Sequence, residues 1–511
     1  MSSKTKENIQ ADGEFFLKAK YLDLKTGHPW IVVIHEEDAK TYGVRAGDEL
    51  TLKWNQKTTQ VSVDLTKELV GRGEIGLFQD IITKYHIKEG EVLELALAQP
   101  PSSLESIRKK LLDKRLTYEE IRGVISDVVN YNLDDVQIAF FLASAFKKNG
   151  FSNEEIYFMT KAMAETGEML FWERDLVADK HSIGGVPGNR TTPLVVSIVS
   201  SLGIYFPKSS SRAITSEAGT ADVIEAIAPV ELSSVKIKEV VQKTNACLVW
   251  GGALKLAPAD DRILRVSYEL GIEPYSKMIV SIMAKKVAMG ATHLVIDLPI
   301  GPDLKISSLK DALEVKKIFE YLATKFKIKI KVLIEPLNGP VGRGIGPSLE
   351  IRDILKVLEQ RPARPLDLEK RALKLAGTLL ELTGVTKKGS GEKIALKQLT
   401  NGEALKQFKK IIAAQGGKAE LTSETIPLGN YSFEVKSPKT GVISHISSRE
   451  LIRMARLLGS PATKESGVYL NKVIGEAVTE GEALCTLYTN SQQRLDLALN
   501  ELKKSQLYQI S

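Results

Sequence analysis

The run Asp179-Lys180-His181-Ser182-Ile183-Gly184-Gly185-Val186-Pro187-Gly188-Asn189-Arg190-Thr191-Thr192 brings a cation, an imidazole, hydroxyls and glycines into one short stretch. It follows the apolar pair Val177-Ala178 and precedes the apolar run Leu194 to Val199, a pattern that predicts a strand, a glycine-rich turn and a helix start. Glycines let a backbone approach an oxyanion. Amides at a helix N-terminus lack intrahelical acceptors, and the helix dipole favours negative charge there. Anion binding is the chemistry this implies; a strand-to-helix turn without a ligand is the alternative for the segment alone.

A second loop strengthens the anion reading. Ser209-Ser210-Ser211-Arg212-Ala213-Ile214-Thr215-Ser216-Glu217-Ala218-Gly219-Thr220 again offers hydroxyls, an arginine and a glycine between apolar stretches. Two such loops at one end of a sheet can surround one phosphate from several directions. A nucleotide-triphosphatase P-loop is excluded, because Gly184 and Gly188 are separated by three residues instead of four and Asn189-Arg190 follows in place of Lys-Ser/Thr. Pro340-Val341-Gly342-Arg343-Gly344-Ile345-Gly346-Pro347 also lacks that pair, and reads either as a turn at a strand end or as a segment that helps close the site.

The elements that position these loops must come from several domains, since 511 residues exceed what one core organises. With 43% hydrophobic and 26% charged residues the chain reads as soluble and globular, and a net charge of +7 spread along it is no nucleic-acid footprint. Cys247 and Cys485 are far apart in apolar contexts, which predicts buried thiols. Six scattered histidines without HExxH spacing predict no metal centre. The start of the chain has no signal-peptide core and no apolar run reaches membrane-span length, so a cytoplasmic protein without membrane partners is expected.

The expected fold class is α/β multidomain. Residues 1–98 are rich in β-branched alternation, and Val44 to Leu50 is echoed by Ile87 to Leu93, which suggests a pseudo-repeated β-barrel-like domain. A linker at Gln99-Pro100-Pro101-Ser102-Ser103 leads into a helical subdomain over 99–176, with capping boxes at Thr117 to Glu120 and Ser152 to Glu155. The chain is expected to rejoin that subdomain over about 260–290, where Ser281 and Lys285 share a helical face. Residues 177–420 alternate short apolar strands with helices, predicting an α/β phosphate-binding domain with a parallel-rich sheet. Residues 421–511 read as a C-terminal α+β domain of structural or oligomeric purpose, ending in an amphipathic helix near Leu495 to Leu502.

Taken in order, Lys180-His181-Ser182, the Ser-rich Arg212 loop ending in Ala218-Gly219-Thr220, and Ser281-Ile282-Met283-Ala284-Lys285-Lys286 resemble the thymidine and pyrimidine-nucleoside phosphorylases over roughly residues 100–500. The extra N-terminal domain, Pro187, Trp250-Gly251-Gly252-Ala253 and Ala257-Pro258-Ala259-Asp260-Asp261 resemble the long-chain branch that contains the AMP phosphorylases. The resemblance implies a pentosyltransferase in which inorganic phosphate, a co-substrate beside which no cofactor is needed, attacks C1′ of a ribosyl unit as the base departs. It implies a homodimer or larger homo-oligomer. Lys180, Ser182, Gly185, Thr192, Ser210, Ser211 and Thr220 would hold phosphate. Arg212, Ala213, Ile214, Thr215, Ser216, Ser281, Lys285 and Lys305 would meet the nucleotide.

His181 falls where the family places a histidine beside base and sugar, suited to hydrogen bonding or proton donation. The thymidine enzymes read the pyrimidine with an arginine where this chain has Val266, with Arg265 one step away on another helical face. The AMP phosphorylases are assigned an aspartate as proton donor where this chain has Glu273. The expectation is therefore phosphorolysis of a nucleoside 5′-monophosphate, AMP first, with a thymidine or pyrimidine-nucleoside phosphorylase as the alternative and a non-catalytic nucleotide-binding protein behind both.

Overall fold

Alternating apolar and polar residues near the N-terminus give strands that bury one face, and six of them close on themselves in the computed structural model, which describes residues 15–26, 30–97, 101–213, 216–271 and 273–511. They are β1 (Phe15–Leu22), β2 (Ile31–His35), β3 (Glu49–Trp54), β4 (Lys57–Thr66), β5 (Glu74–Phe78) and β6 (Val92–Leu97), in barrel order β1-β5-β2-β4-β3-β6. The pairs β1–β5 and β2–β4 are parallel. Val32, Ile34, Leu52, Val63, Ile75, Leu77 and Leu93 fill the interior. Closure leaves no exposed strand edge.

The echoed segments make the same turn twice. Asp48 Oδ2 accepts from the Arg45 amide at 2.7 Å, and Glu91 Oε2 accepts from the Lys88 amide at 2.8 Å. Gly47 and Gly90 supply the positive φ each turn needs, +86° and +77°.

By packing, Met1–Thr166 and Ala259–Pro274 form one unit, and Gly167–Pro258 with Tyr275–Ser511 a second. The helices Ser103–Leu111, Tyr118–Asn130, Asp135–Ala143 and Asn153–Glu165 complete the first unit's amino-terminal part. Both expected capping boxes form, and a third, Asp134 with Gln137, escaped the sequence reading. The buried Glu155 carboxylate also accepts from Lys110 Nζ at 2.8 Å, Arg115 at 2.8 Å and the Leu116 amide at 3.0 Å. Burial pushes that carboxyl up, but its donors outweigh burial and hold it below the ordinary glutamate value.

The return to this unit is shorter than 260–290. The helix Pro258–Glu269 stops at Gly271, φ +63°, and Pro274, so a new helix, Tyr275–Ala288, starts in the second unit and packs on Leu309–Lys325. Apolar periodicity runs through this break, which is why it misled the boundary.

The second unit holds β7 (Ala178–Ser182), β8 (Phe206–Ser210), β9 (Ala246–Trp250), β10 (His293–Ile300) and β11 (Lys329–Pro336). β11, β10 and β7 pair in parallel in that order, β8 and β9 pair in parallel, and a parallel bridge between Val177 and Tyr205 joins the two groups. Parallel pairing collects the carboxyl ends of β7, β8 and β10, placing Ser182 opposite Asp297. The helix Thr191–Ser200 is buried on every face and packs against Leu366–Leu382 and Glu403–Ala414.

At the carboxyl end of the chain, Gly344–Ile345, Gly467–Leu470, Ala483–Thr489 and Tyr431–Lys436 form an antiparallel sheet in that order, so the glycine segment of the α/β region contributes a strand to it. The helix Gln492–Leu502 follows. Among the described residues no helix is long and apolar enough to cross a membrane, and no group of His, Cys, Asp and Glu is placed to hold a metal ion.

Candidate active site

Strand alternation turns Lys180 inward, where it is fully buried. Its ammonium donates to Ser182 Oγ at 2.5 Å, Thr191 Oγ1 at 2.6 Å and Thr192 Oγ1 at 3.4 Å. The two threonines open the helix Thr191–Ser200, whose start carries no side-chain cap. One cation, three hydroxyls and a helix N-terminus thus converge at the end of β7, an arrangement suited to a phosphate. Gly185, at φ +99°, lies against Lys305: a Cβ there would sit 3.6 Å from both Lys305 Cγ and Lys305 N. Lys305, the most remote candidate in sequence, is therefore a neighbour of the first loop.

Further charges, of which Asp297, Arg371 and Lys208 were missing from the sequence reading, support this end of the sheet. Ser182 Oγ donates to Asp297 Oδ2 at 2.6 Å, and Arg371 donates to Asp297 Oδ1. Beneath β7, Asp179 lies between Lys208 Nζ at 3.2 Å and Lys286 Nζ at 2.7 Å. Lys286, the last residue of the Ser281 motif, is only 2% exposed. Burial pushes the Lys286 ammonium down to about 7, although Asp179 opposes it. Burial also holds His181 well below the ordinary histidine value, and Lys286, Lys208, Lys180 and Lys285 add to the effect. A neutral His181 offers one hydrogen-bond donor and one acceptor and is no imidazolium acid.

The second loop is braced internally. Gly219 has no room for a side chain, since a Cβ would lie 2.3 Å from Ser211 O. Asp222 Oδ2 accepts from the amides of Ala213 at 2.7 Å and Gly219 at 2.8 Å. Ser210 Oγ donates to Val249 O at 3.2 Å, Ser211 is exposed, and Thr220 opens the helix Thr220–Glu225. Arg212 is committed to Glu225, Glu231 and Asp222 and stacks over Trp250 at 4.7 Å. Its hydrogen bonds to Glu225 raise the guanidinium further above its usual value, so it serves as a structural cation of this loop. Ser216 Oγ donates to Ala218 O at 3.0 Å and its carbonyl accepts from Arg456. Ile214 and Thr215 lie outside the described residues.

Arg190, partly buried, pairs with the buried Glu217 and Glu350 at the end of the first loop. Burial pushes both carboxyls up, Glu350 to about 8, as one guanidinium faces two acids. The segment 340–347 is tied down by Val341 N–H to Pro187 O at 3.0 Å and by Asp353 accepting from the amides of Arg343 and Gly344, both at 2.7 Å. It therefore braces the first loop.

Ser281 is half-buried on Tyr275–Ala288, and Lys285 follows it by one turn. In the other unit, Val266 is buried and Arg265 pairs with Asp135 at 3.2 Å. Glu273 is exposed just beyond that helix. Asp297 was readable as an acid inside the apolar strand His293–Ile300, and Lys208 as a cation inside β8. Arg371 and Glu350 carry no local signal, because their partners lie far off in sequence.

Residues 104–167 match the glycosyl transferase family helical bundle domain, 174–405 the a/b domain of that family, and 442–509 the pyrimidine nucleoside phosphorylase C-terminal domain. An AMP phosphorylase from Thermofilum pendens is 41% identical over 489 residues, 96% of this chain and 94% of that protein. One from Methanocaldococcus jannaschii is 41% identical over 484 residues, 95% of each chain. A Legionella pneumophila protein named "Putative thymidine phosphorylase" is 40% identical over 494 residues, 96% of this chain and 94% of its own length. Among solved structures, anthranilate phosphoribosyltransferase from Thermus thermophilus shares the fold with a TM-score of 0.52 at 19% identity, over 61% of this chain and 99% of that one. Signature loops, domain order and full-length similarity agree: the chain belongs to the pentosyltransferase family of the AMP and thymidine phosphorylases.

Proposed function

We propose that this enzyme cleaves AMP with inorganic phosphate, giving adenine and ribose 1,5-bisphosphate. The observation that carries the reading is the convergence of the Lys180 ammonium with Ser182, Thr191 and Thr192 at a helix start, beside Gly185 and Lys305. Phosphate held there by Lys180, Thr192 and the Gly185 backbone, with Ser182, Ser210, Ser211 and Thr220 turning their hydroxyls to it, attacks C1′. The new C1′–O bond forms as the C1′–N9 bond breaks, and the electron pair leaves with adenine, which takes up a proton. Glu273 is the proposed proton donor. His181 orients the sugar and base as a neutral hydrogen-bonding group, and Ser281 and Lys285 contact the nucleotide. Lys305 meets the 5′-phosphate.

AMP is preferred over thymidine because a buried Val266 stands where the thymidine enzymes carry their base-reading arginine, and Arg265 is engaged by Asp135. The name of the Legionella relative supports the second reading, a thymidine phosphorylase. A panel of AMP, CMP, UMP, adenosine, uridine and thymidine, each with phosphate, decides between them by free base and sugar phosphate released. AMP should show the highest kcat/KM. A value for thymidine above every monophosphate would overturn the assignment. The enzyme is further proposed to work in the cytoplasm as a homodimer or larger assembly, needing no cofactor beyond its co-substrate phosphate.

A further inference from the structure

Lys180 has a second layer behind it that phosphate itself does not need to touch. Its ammonium points a proton at Ser182 Oγ at 2.5 Å, and that hydroxyl spends its own proton on Asp297 Oδ2 at 2.6 Å. Asp297 is 1% exposed and sits opposite Ser182 across the β7–β10 pairing, so the chain Lys180–Ser182–Asp297 is fixed by strand register. Arg371 reaches the other Asp297 oxygen from the helix Leu366–Leu382 and also meets Glu335 Oε2 at 3.3 Å. A carboxylate this close favours the charged ammonium, and a guanidinium on the far side offsets part of that field.

We propose that Asp297 and Arg371 are positioning residues for phosphate binding: Asp297 keeps Lys180 protonated and Ser182 aimed at it, while Arg371 fixes Asp297 and tempers its charge. This rests on Lys180 being the phosphate anchor. Burial pushes Lys180 down to about 8, with Asp297 opposing that fall, Arg371 and Arg190 adding to it, and Asp179 opposing it. The remaining charges around Lys180 are already engaged: Asp179 with Lys208 and Lys286, and Arg190 with Glu217 and Glu350. His181 alongside is neutral. Only protonated Lys180 binds phosphate well, so kcat/KM for phosphate should fall as pH rises through about 8.

The test is that alkaline limb in the full-length enzyme, with its best substrate from the panel saturating. Asp297→Asn keeps the size and an acceptor for Ser182 but removes the charge. Its limb should move down by about one pH unit, lowering kcat/KM for phosphate about fivefold at pH 8 and close to tenfold above about pH 9. Asp297→Glu should restore the limb, and Arg371→Gln should move it the opposite way. An unmoved limb in Asp297→Asn, or both charge-removing variants shifting it in one direction, overturns the proposal. Should Arg371→Gln not fold, the Asp297→Asn and Asp297→Glu pair decides alone. Lys180→Met separates the layers. Unchanged phosphate saturation there overturns the anchor assignment and this proposal together; lost saturation with an unmoved Asp297→Asn limb overturns this proposal alone.

Discussion

Lys286 Nζ lies 2.7 Å from Asp179 Oδ2 in the interior, while Lys208 approaches the other oxygen at 3.2 Å, so one carboxylate, two residues before His181, serves two buried amines. Removing that carboxylate strands both cations. Asp179→Asn should lose about 3–5 kcal/mol of stability, the usual result of breaking a buried pair from one side. Urea unfolding at neutral pH measures it.

The same pair gives a pH dependence whose sign follows from proton counting. Lys286 is pushed down to about 7 when folded, against 10.5 for a free lysine, so between these values the unfolded chain holds a proton that the folded chain lacks. Stability therefore rises with pH across that window on account of this residue. Lys286→Met should flatten the rise measured by urea unfolding from about pH 7 to about pH 10. A slope equal to the parent's would show that Lys286 stays protonated.

Lys180 is the next test. Charge-assisted hydrogen bonds are worth about 1.5–3 kcal/mol each, so Lys180→Ala should weaken phosphate use at least about tenfold. Ser182→Ala and Thr220→Ala should act in the same direction, more mildly, because neutral hydroxyls make weaker contacts. Initial rates against phosphate concentration decide, with thermal melting to confirm that each variant is folded.

Of the cations expected from sequence to meet the nucleotide, Arg212 and Lys305 now part company. Arg212 is held by three carboxylates, whereas Lys305 borders Gly185. Lys305→Met should raise the KM for AMP more than about tenfold and leave adenosine nearly unchanged, since only AMP carries that charge. Arg212→Gln should instead lower the melting temperature and hurt AMP and adenosine alike. An Arg212→Gln defect confined to AMP would reverse the two roles.

What the sequence disclosed followed from distance along the chain. The strand ending in Lys180-His181-Ser182, the capping boxes at Thr117 and Ser152 and the repeated turns at Gly47 and Gly90 are local features, set by neighbours three or four residues away. The partners Asp297, Arg371, Glu217 and Glu350 are long-range, and a charged residue in a sequence does not show which distant strand will bury it. Arg212 shows the converse. Its place in a hydroxyl-rich loop suggested a ligand, but Glu225 and Glu231 beyond the loop engage it.

Glycine offers a last, paired prediction, because Gly219, extended, and Gly123, helical, both have backbone angles open to alanine but very different surroundings. At Gly219 a Cβ would lie 2.3 Å from Ser211 O and 2.7 Å from the Arg212 carbonyl carbon, both backbone atoms that cannot swing aside. Gly219→Ala must therefore pry the second loop away from the helix Thr220–Glu225, and kcat/KM for phosphate should fall well beyond tenfold. Gly123 lies inside the helix Tyr118–Asn130 with nothing within 4 Å of its added Cβ. There alanine relieves the entropic cost of glycine, so Gly123→Ala should stabilise the protein by about 0.5–1 kcal/mol with activity intact. Melting temperatures and phosphate kinetics on both variants give the comparison. Loss of stability at Gly123 would mean that the helix face there is covered, and unchanged kinetics at Gly219 would mean that the second loop takes no part in holding phosphate.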